Sequence, residues 1–287
     1  MKNISVIIPV YNAEKWIDRL WNSLKNQTVF SKLEIIFVND GSTDNSRNIL
    51  EKIAEEYKNV VIVNKKNAGV SAARNTGIDN ATNEYISFID ADDYIDDDYF
   101  ESYQNILDKD FDMIESGYIT EYDIGKMYKK SVNYVEVNNR SEMFKLFALG
   151  KIDPNCWNKL YKKEILKQVR FDEQLTCGED KELIFNYLKY ANRIYGNSVE
   201  KYHYYIHSAS AMRKKYNKKE INIIDRMEQR LEYIKENYAD VANDLESSII
   251  DTKCRILCDL IEFKEKDKYK DEYNKMKKSI NKYIFYK

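Results

Sequence analysis

Apolar residues along the first hundred positions predict strands and helices in turn. Four short apolar runs have the length of strands buried on both faces, at residues 4–10, 33–38, 60–63 and 85–89. Between them, apolar residues recur at helical spacing, in a helix that Asn12 is predicted to cap, in one opened by Ser42 or Thr43, and over residues 71–81. This alternation predicts an α/β fold with a parallel sheet, whose ligands bind at the carboxyl ends of the strands.

The pattern changes twice further along the chain. Residues 111–205 mix strand-like segments with helices predicted at residues 141–149 and 179–191. Beyond about residue 213 the chain reads as long polar helices with a heptad-like apolar stripe from Ile224 to Leu245. We therefore predict a nucleotide-binding α/β unit at residues 1–210 and a helical region at 211–287, docked on that unit or on a second copy of the chain.

Composition narrows the class of protein. The 46 basic and 48 acidic residues leave a net charge of −2, so nothing in the overall charge favours a nucleic-acid partner. No apolar run approaches the ~20 residues of a membrane span, and the first strand follows the initial Met so closely that we expect no signal peptide. Four cysteines without C-x-x-C spacing indicate reduced thiols and a cytoplasmic location.

Polar residues follow the predicted strands. Asp40-Gly41-Ser42 comes after the second strand, where a simple turn with a helix cap is the alternative reading. Asn67 and Arg74 follow the third strand, and the guanidinium of Arg74 offers a fork of donors for a carbonyl edge or a phosphate, or is simply a surface group.

Carboxylates follow the fourth strand as Asp90-Ala91-Asp92-Asp93. Carboxylates crowded at the tip of a buried strand repel one another, so we expect a hard cation such as Mg²⁺ or Mn²⁺ that also binds phosphate oxygens. An EF-hand is excluded because Tyr94 and Ile95 stand where that loop needs an oxygen ligand and a glycine. A second acidic pair, Glu179-Asp180, opens a helix, where acids are also ordinary partners of the helix dipole.

In order and spacing, five motifs of this chain resemble those of the inverting family-2 glycosyltransferases with a GT-A fold, of the bacterial cell-surface polysaccharide type. The resemblance covers about residues 3–210. The motifs are Val6-Ile-Ile-Pro-Val-Tyr-Asn12, Val38-Asn-Asp-Gly-Ser42, Asn67-x-Gly69-x-Ser-x-Ala-Arg-Asn75, Asp90-Ala-Asp92-Asp93 and Gly178-Glu-Asp180.

This resemblance implies roles for individual residues. It implies that a nucleotide site is formed by Pro9, Tyr11, Asp40, Asn67, Arg74, Asp90 and Ala91, with Asp40 accepting from the uracil N–H and Arg74 flanking the base and ribose. A divalent cation, Mn²⁺ or Mg²⁺, is expected on Asp92, with His207 as a further metal or diphosphate contact or else a solvated side chain. Asp180 is implied as the general base, with Glu179 beside it. The acceptor side is expected at Trp157, Asn158 and Lys159, although Trp157 also fits a core position.

The implied function is transfer of one sugar, a hexose or an N-acetylhexosamine, from a UDP-sugar to a hydroxyl of a glycan acceptor, on a lipid carrier or a cell-surface polysaccharide precursor. A nicotinamide-dependent oxidoreductase is excluded because no two glycines stand in G-x-G spacing. A pyrophosphorylase is disfavoured because Tyr11-Asn12-Ala13-Glu14 is not a glycine-rich phosphate loop. The remaining alternative is an inactive relative acting as a partner subunit, against which the intact Asp90, Asp92 and Asp180 argue.

Lysines crowd the end of the chain. Residues 264–287 contain nine lysines and four acidic residues, a net charge of +5, interleaved with tyrosines and Phe285. Such a composition suits a membrane interface, so we expect weak peripheral contact with the inner face of a membrane, a solvated helix end being the alternative.

Overall fold

The computed structural model describes residues 2–175, 177–207 and 219–286. The strands are β1 (Ile4–Val10), β2 (Leu33–Asp40), β3 (Val60–Lys65), β4 (Tyr85–Phe88), β5 (Tyr94–Ile95), β6 (Met113–Tyr122), β7 (Met127–Lys130), β8 (Glu136–Val137), β9 (Lys159–Lys162) and β10 (Ile194–Ile206). The helices are α1 (Ile17–Lys25), α2 (Ser46–Glu56), α3 (Val70–Asn80), α4 (Gln104–Leu107), α5 (Arg140–Ala148), α6 (Lys163–Gln168), α7 (Glu179–Leu188), α8 (Lys219–Asn237), α9 (Ala242–Glu262) and α10 (Lys270–Tyr286).

One mixed sheet carries these strands in the order β3-β2-β1-β4-β9-β6-β10-β5, with β7 paired to β6 and β8 to β10. The first four strands along the chain are parallel to one another, as their apolar runs predict. Strand β9 then enters antiparallel between β4 and β6, while β6 and β10 are parallel. The carboxyl ends of β1, β2 and β4 consequently meet at one edge, where the predicted site residues follow.

Helix α3 packs unusually close to the sheet. A Cβ atom on Gly77 would lie 2.2 Å from Cγ2 of Ile7 in β1, so only glycine permits this approach. Arg74 lies about one helical turn before Gly77. The close packing therefore sets Arg74 deep under the carboxyl edge of the sheet, where 3% of the residue is exposed.

The C-terminal helices, defined here as α8, α9 and α10, share a core with the α/β part. Met227, Leu231 and Ile234 of α8 belong to the same apolar cluster as Phe144 of α5 and Phe185 of α7. The apolar stripe therefore packs within the chain, which confirms the predicted docking on the catalytic part and leaves that stripe unavailable to a second copy. The predicted division at residues 210/211 lies outside the described residues and stays a prediction.

Two predicted helix starts are wrong. Asn12 does not cap α1, which begins at Ile17 after Trp16, and α2 begins at Ser46 instead of Ser42 or Thr43. The loop residues bond to each other across the two strands, because Asn12 N–H donates to Ser42 Oγ at 3.1 Å and Asn12 Oδ1 accepts from Thr43 N–H at 2.8 Å. Long-range pairing has replaced the local caps that the sequence predicts.

Across the described ranges 2–175, 177–207 and 219–286, no helix combines the length and the apolar character that crossing a bilayer requires.

Packing of the C-terminal helices on α7 places Lys181 in an unfavourable environment. Burial, with Arg230 and Arg255 nearby, lowers the pKa of Lys181 from its ordinary 10.5 to about 8. A shift of this size corresponds to about 3 kcal/mol for a fully buried group, and partial exposure reduces our expectation to about 1 kcal/mol. Because the folded pKa lies below the unfolded one, the cost is complete below about pH 8 and fades as the pH approaches 10.5.

We therefore expect Lys181→Met to raise the free energy of unfolding by about 1 kcal/mol at pH 7 and to have little effect at pH 10. Urea denaturation at the two pH values measures this difference. Lys145→Met, at an exposed position of α5, is the matched control and should change neither value. An equal gain at both pH values would attribute the effect to the added apolar side chain and not to the removed charge.

Candidate active site

Loops after β1 and β2 are locked together at the nucleotide end of the site. Besides the two bonds of Asn12, Ala13 N–H donates to Ser46 Oγ at 2.9 Å and Glu14 N–H to Asp44 Oδ2 at 3.1 Å. These hydrogen bonds fix the backbone that follows Tyr11, whose side chain is 53% exposed. An exposed aromatic ring on a fixed loop is suited to stack on a flat base.

Asp40, at the carboxyl end of β2, is buried and well supplied with donors. Its carboxylate accepts from the N–H groups of Ala68, at 3.0 and 3.2 Å, and Gly69, at 2.8 Å, and from Lys65 Nζ at 2.7 Å. These bonds hold the loop after β3, on which the predicted Asn67 is exposed. The predicted uracil contact of Asp40 stays a prediction, alongside an observed role in shaping that loop.

Arg74 joins three carboxylates that the sequence assigns to different parts of the site. One terminal nitrogen lies 2.7 Å from Asp180 Oδ1 and 3.5 Å from Glu179 Oε1, and the other donates to Asp90 Oδ1 at 2.8 Å. The guanidinium is thus engaged by carboxylates, whereas the sequence predicts it beside the base and ribose. We name Arg74, Asp90, Glu179 and Asp180 the carboxylate cluster.

Asp180 is presented by a tight helix start. Gly178 precedes α7 with φ 77°, a left-handed conformation that glycine adopts without strain, and Asp180 lies in the first turn. Its Oδ2 also faces the N–H of Cys156 at 3.3 Å. Burial and the neighbouring Asp180 raise the pKa of Glu179.

Asp92 and His207 meet at the other end of the site, as predicted. His207 Nε2 lies 3.0 Å from Asp92 Oδ2, although 115 positions separate the two residues. Burial and the charge of Asp90 raise the pKa of Asp92. A carboxylate oxygen with an imidazole nitrogen fits Mn²⁺, and the carboxylate also suits Mg²⁺. Within the part of the chain that the structure describes, no cluster of three or more such ligands occurs.

Asp93 is absent from the predicted ligands, and the structure explains its place in the motif. It is fully buried and accepts from Tyr202 Oη at 2.6 Å and from Tyr205 N–H at 2.9 Å, while Ala91 beside it is also buried. Burial and the charges of Asp90 and Asp92 raise its pKa. Asp93 thus ties the loop after β4 to β10, and the sequence contains no local signal for that role.

The three predicted acceptor residues lie in the interior. Trp157 stacks on Tyr202 with ring centroids 4.5 Å apart, Asn158 Nδ2 donates to Ser116 O, and Lys159 Nζ donates to Asn155 O. All three are 3% exposed or less. The core alternative therefore describes where the Trp157 side chain lies, and the acceptor contact of this segment stays a prediction.

Two residues at the start of α1, Trp16 before it and Arg19 in its first turn, contact Asp92 and His207 although the sequence assigns them no role there. Trp16 stacks on His207, and Arg19 donates to the backbone carbonyl of Asp92.

Comparison with solved structures defines the fold class. Residues 1–349 of S. aureus TarS, crystallised with UDP-GlcNAc, superpose with a TM-score of 0.71 at 20% sequence identity, over 98% of this chain and 92% of that one. The fold is therefore the GT-A fold, and the superposition extends into the C-terminal helices.

A family model resolves the identity further, because the model described as "Glycosyl transferase family 2" matches residues 5–170. The chain belongs to glycosyltransferase family 2. The glycosyltransferase-named EpsH of Bacillus subtilis is 33% identical over 223 residues, 75% of this chain. GgaB of the same organism, a minor teichoic acid biosynthesis protein, is 34% identical over 209 residues, 70% of this chain. The matches span 64% of EpsH and 23% of GgaB, so this chain corresponds to part of each relative.

Proposed function

We propose that the chain is a metal-dependent, inverting glycosyltransferase that moves one sugar from a UDP-sugar to a hydroxyl group of a glycan. The observation that carries the proposal is the pairing of Asp92 with His207 close to the carboxylate cluster, in which Arg74 links Asp90 to Asp180. A cation site for the donor and a buried base are the two groups that such a transfer needs.

Asp92 and His207 are the residues that would hold the cation. A bound divalent cation would offset the negative charge that develops on the diphosphate leaving group. Asp90 lies between this pair and Arg74, so it can orient the donor while its charge is shared with the guanidinium. Membership of the family supports this assignment, as do the carboxylate oxygen and the imidazole nitrogen that would bind the cation. Mn²⁺ is the first ion to test.

Asp180 is proposed as the base that removes the proton of the acceptor hydroxyl. Inversion requires one base on the face of the sugar opposite the diphosphate, in contrast to the two carboxylates of a retaining hydrolase. Arg74 holds Oδ1 and the Cys156 N–H faces Oδ2, so the carboxylate is oriented before substrate binds. Such preorganisation limits the geometric search that precedes proton transfer.

A UDP-sugar is the proposed donor, since TarS binds UDP-GlcNAc in its crystal, and an acceptor in cell-surface glycan synthesis is proposed because GgaB takes part in teichoic acid synthesis. The acceptor is proposed to be carried on a lipid at the cytoplasmic face. Thermal shift with Mn²⁺ and a panel of UDP-sugars, with GDP-mannose for comparison, identifies the donor because a ligand stabilises by RT ln(1 + [L]/Kd).

Release of UDP from the donor so identified then tests catalysis. Measurable, acceptor-stimulated release is expected. Binding of the donor without any release would instead favour the alternative, a relative that serves as a partner subunit. Preference for GDP-mannose would overturn the assignment of a uracil nucleotide as donor and would leave the assignment of the site residues unchanged.

The C-terminal helices are proposed to meet an anionic membrane through their lysines. Every lysine from 264 to 282 is exposed, whereas Tyr269 and Met276 pack inward on Ile224, Ile256 and Leu260. Tyr269 and Met276 therefore anchor α10 to the neighbouring helices, and the lysines lie on the face that is left to contact lipid. A homodimer through these helices would use the same outer surface, on which Phe263 and Ile284 are exposed.

Replacing Lys275, Lys277 and Lys278 by Gln is expected to weaken binding to vesicles containing phosphatidylglycerol. Each basic residue near such a surface contributes on the order of 1 kcal/mol, so three should lower partitioning by at least tenfold at low salt. Co-sedimentation with the vesicles measures this partitioning. The matched control replaces three exposed lysines near the start of the chain, Lys25, Lys52 and Lys58. Equal partitioning of wild type and the α10 variant would leave these lysines as a solvated face.

A further inference from the structure

We infer that Trp16, the residue before α1, and Arg19 in its first turn are positioning residues that hold Asp92 and His207 in the geometry needed to bind the donor's cation. This inference rests on the proposed function, because it concerns the residues to which that function assigns the metal. None of the five motifs quoted from the sequence includes helix α1. The two side chains lie three positions apart, on one face of the helix.

Arg19 restrains the loop that carries Asp92. Its terminal nitrogen donates to the Asp92 backbone carbonyl at 2.5 Å, and its guanidinium lies 4.0 Å from the ring centroid of Tyr205 and 4.8 Å from that of Tyr94. A guanidinium enclosed by two rings loses most of its freedom to rotate, and each such contact contributes about 0.5–2 kcal/mol. The carbonyl of Asp92 is therefore held from the side of α1, while Asp93 holds the same loop from β10.

Trp16 restrains the second member of the pair. Its indole stacks on the imidazole of His207 with centroids 4.5 Å apart and an interplanar angle of 28°. It also meets Tyr205 at 5.5 Å. Stacking limits tilting of the imidazole out of its plane, so the ring nitrogen that faces Asp92 Oδ2 stays directed at it. Partners of this kind, which orient metal ligands without touching the metal, typically change metal affinity by 10–100-fold when removed.

Helix α1 is well suited to act as the rigid support. Its residues Ile17, Leu20 and Leu24 are buried in the core, and Trp16 packs against the same apolar cluster. Its far end is also fastened to the segment after β5, because Gln27 Nε2 donates to Asp96 O at 2.7 Å and Thr28 N–H to Asp97 O at 2.9 Å. The α1 segment thus contacts the chain at Asp92, before β5, and again at Asp96 and Asp97, after it. Loss of Trp16 or Arg19 should loosen the ligands while the helix stays in place.

Mn²⁺ binding tests the inference directly. Electron paramagnetic resonance of free Mn²⁺, titrated with protein at saturating UDP, gives the Kd for the ion without any turnover. We expect Trp16→Leu and Arg19→Met each to raise this Kd about tenfold. Trp16→Phe keeps a stacking ring and should stay near wild type. The affinity for UDP in EDTA should be unchanged in all variants, because none of these side chains is proposed to contact the uracil base of the nucleotide.

Trp21→Leu is the matched control, since Trp21 lies on the same helix but packs against Phe30 and Tyr57, away from the pair. It should lower stability and leave the Mn²⁺ Kd unchanged. Unaltered Kd values in Trp16→Leu and Arg19→Met would overturn the inference, as would an equal loss in Trp21→Leu. Absence of Mn²⁺ binding by the wild-type chain with UDP would overturn the proposed metal dependence as well, so the two failures are distinguishable.

Discussion

Asp180→Asn is expected to reduce turnover by about 10²–10⁴-fold, the usual contribution of a general base. The amide keeps the size of the carboxylate and can still accept from Arg74, so the cluster should stay folded, but it cannot take a proton from the acceptor. Donor binding should change little, because the donor contacts are assigned to other residues. Steady-state UDP release, combined with calorimetric titration of the donor, separates these two quantities.

Glu179→Gln is the matched control for this experiment. Glu179 is adjacent in the chain, and its side chain is 17% exposed against 19% for Asp180. It lies 3.5 Å from the same arginine nitrogen. We expect a much smaller loss of turnover from it. A larger loss from Glu179→Gln than from Asp180→Asn would transfer the role of base to Glu179. A normal rate with collapsed donor affinity in Asp180→Asn would place Asp180 among the donor contacts.

Asp92→Asn is expected to abolish measurable transfer at micromolar Mn²⁺ and to weaken donor binding at the same Mn²⁺ concentration. The substitution removes the charged oxygen that faces His207, and a neutral amide is a far poorer ligand for a hard cation. Higher Mn²⁺ should restore part of the rate if the remaining ligands still bind it. Titration of the rate with Mn²⁺, with wild type measured in parallel, gives the shift.

The matched control is Asp97→Asn, in the segment after β5, where the carboxylate is exposed. It should leave the Mn²⁺ dependence unchanged. Wild-type activity that persists in excess EDTA would contradict metal dependence altogether. A loss of activity in Asp92→Asn with an unaltered Mn²⁺ requirement would show instead that this carboxylate acts on the substrate and not through the cation.

The predicted site residues that the structure draws together are those that follow parallel strands. Asp40 follows β2 and Asp90 follows β4, so the geometry of a parallel sheet brings them to one edge whatever the rest of the chain does. Asp180 joins them because Arg74 reaches it across 106 positions of sequence, and no motif spacing contains that pairing. The order of the motifs thus named the candidate residues, but it could not predict their partners in the fold.

Local patterns failed where a distant group satisfied the same hydrogen bond. Asn12 has the composition of a helix cap, yet its side chain accepts from Thr43 in the neighbouring loop. Trp157 fits either an acceptor contact or the core by sequence; stacking on Tyr202 places its side chain in the core, and the acceptor contact stays a prediction. In each case the side chain had two compatible environments, and only the packing of β10 and the loops against the sheet selected one.

The sequence by itself determined the class of fold, the strand edge that carries the site, and the membership of a glycosyltransferase family. Those conclusions depend on apolar periodicity and motif order, which are local properties of the chain. Tertiary structure alone decided that Arg74 contacts carboxylates, that Asp93 is an anchor, and that Trp16 stacks on His207 while Arg19 donates to the Asp92 carbonyl. Such roles depend on contacts between elements that are far apart in sequence, and their energies arise only when burial removes water from the groups involved.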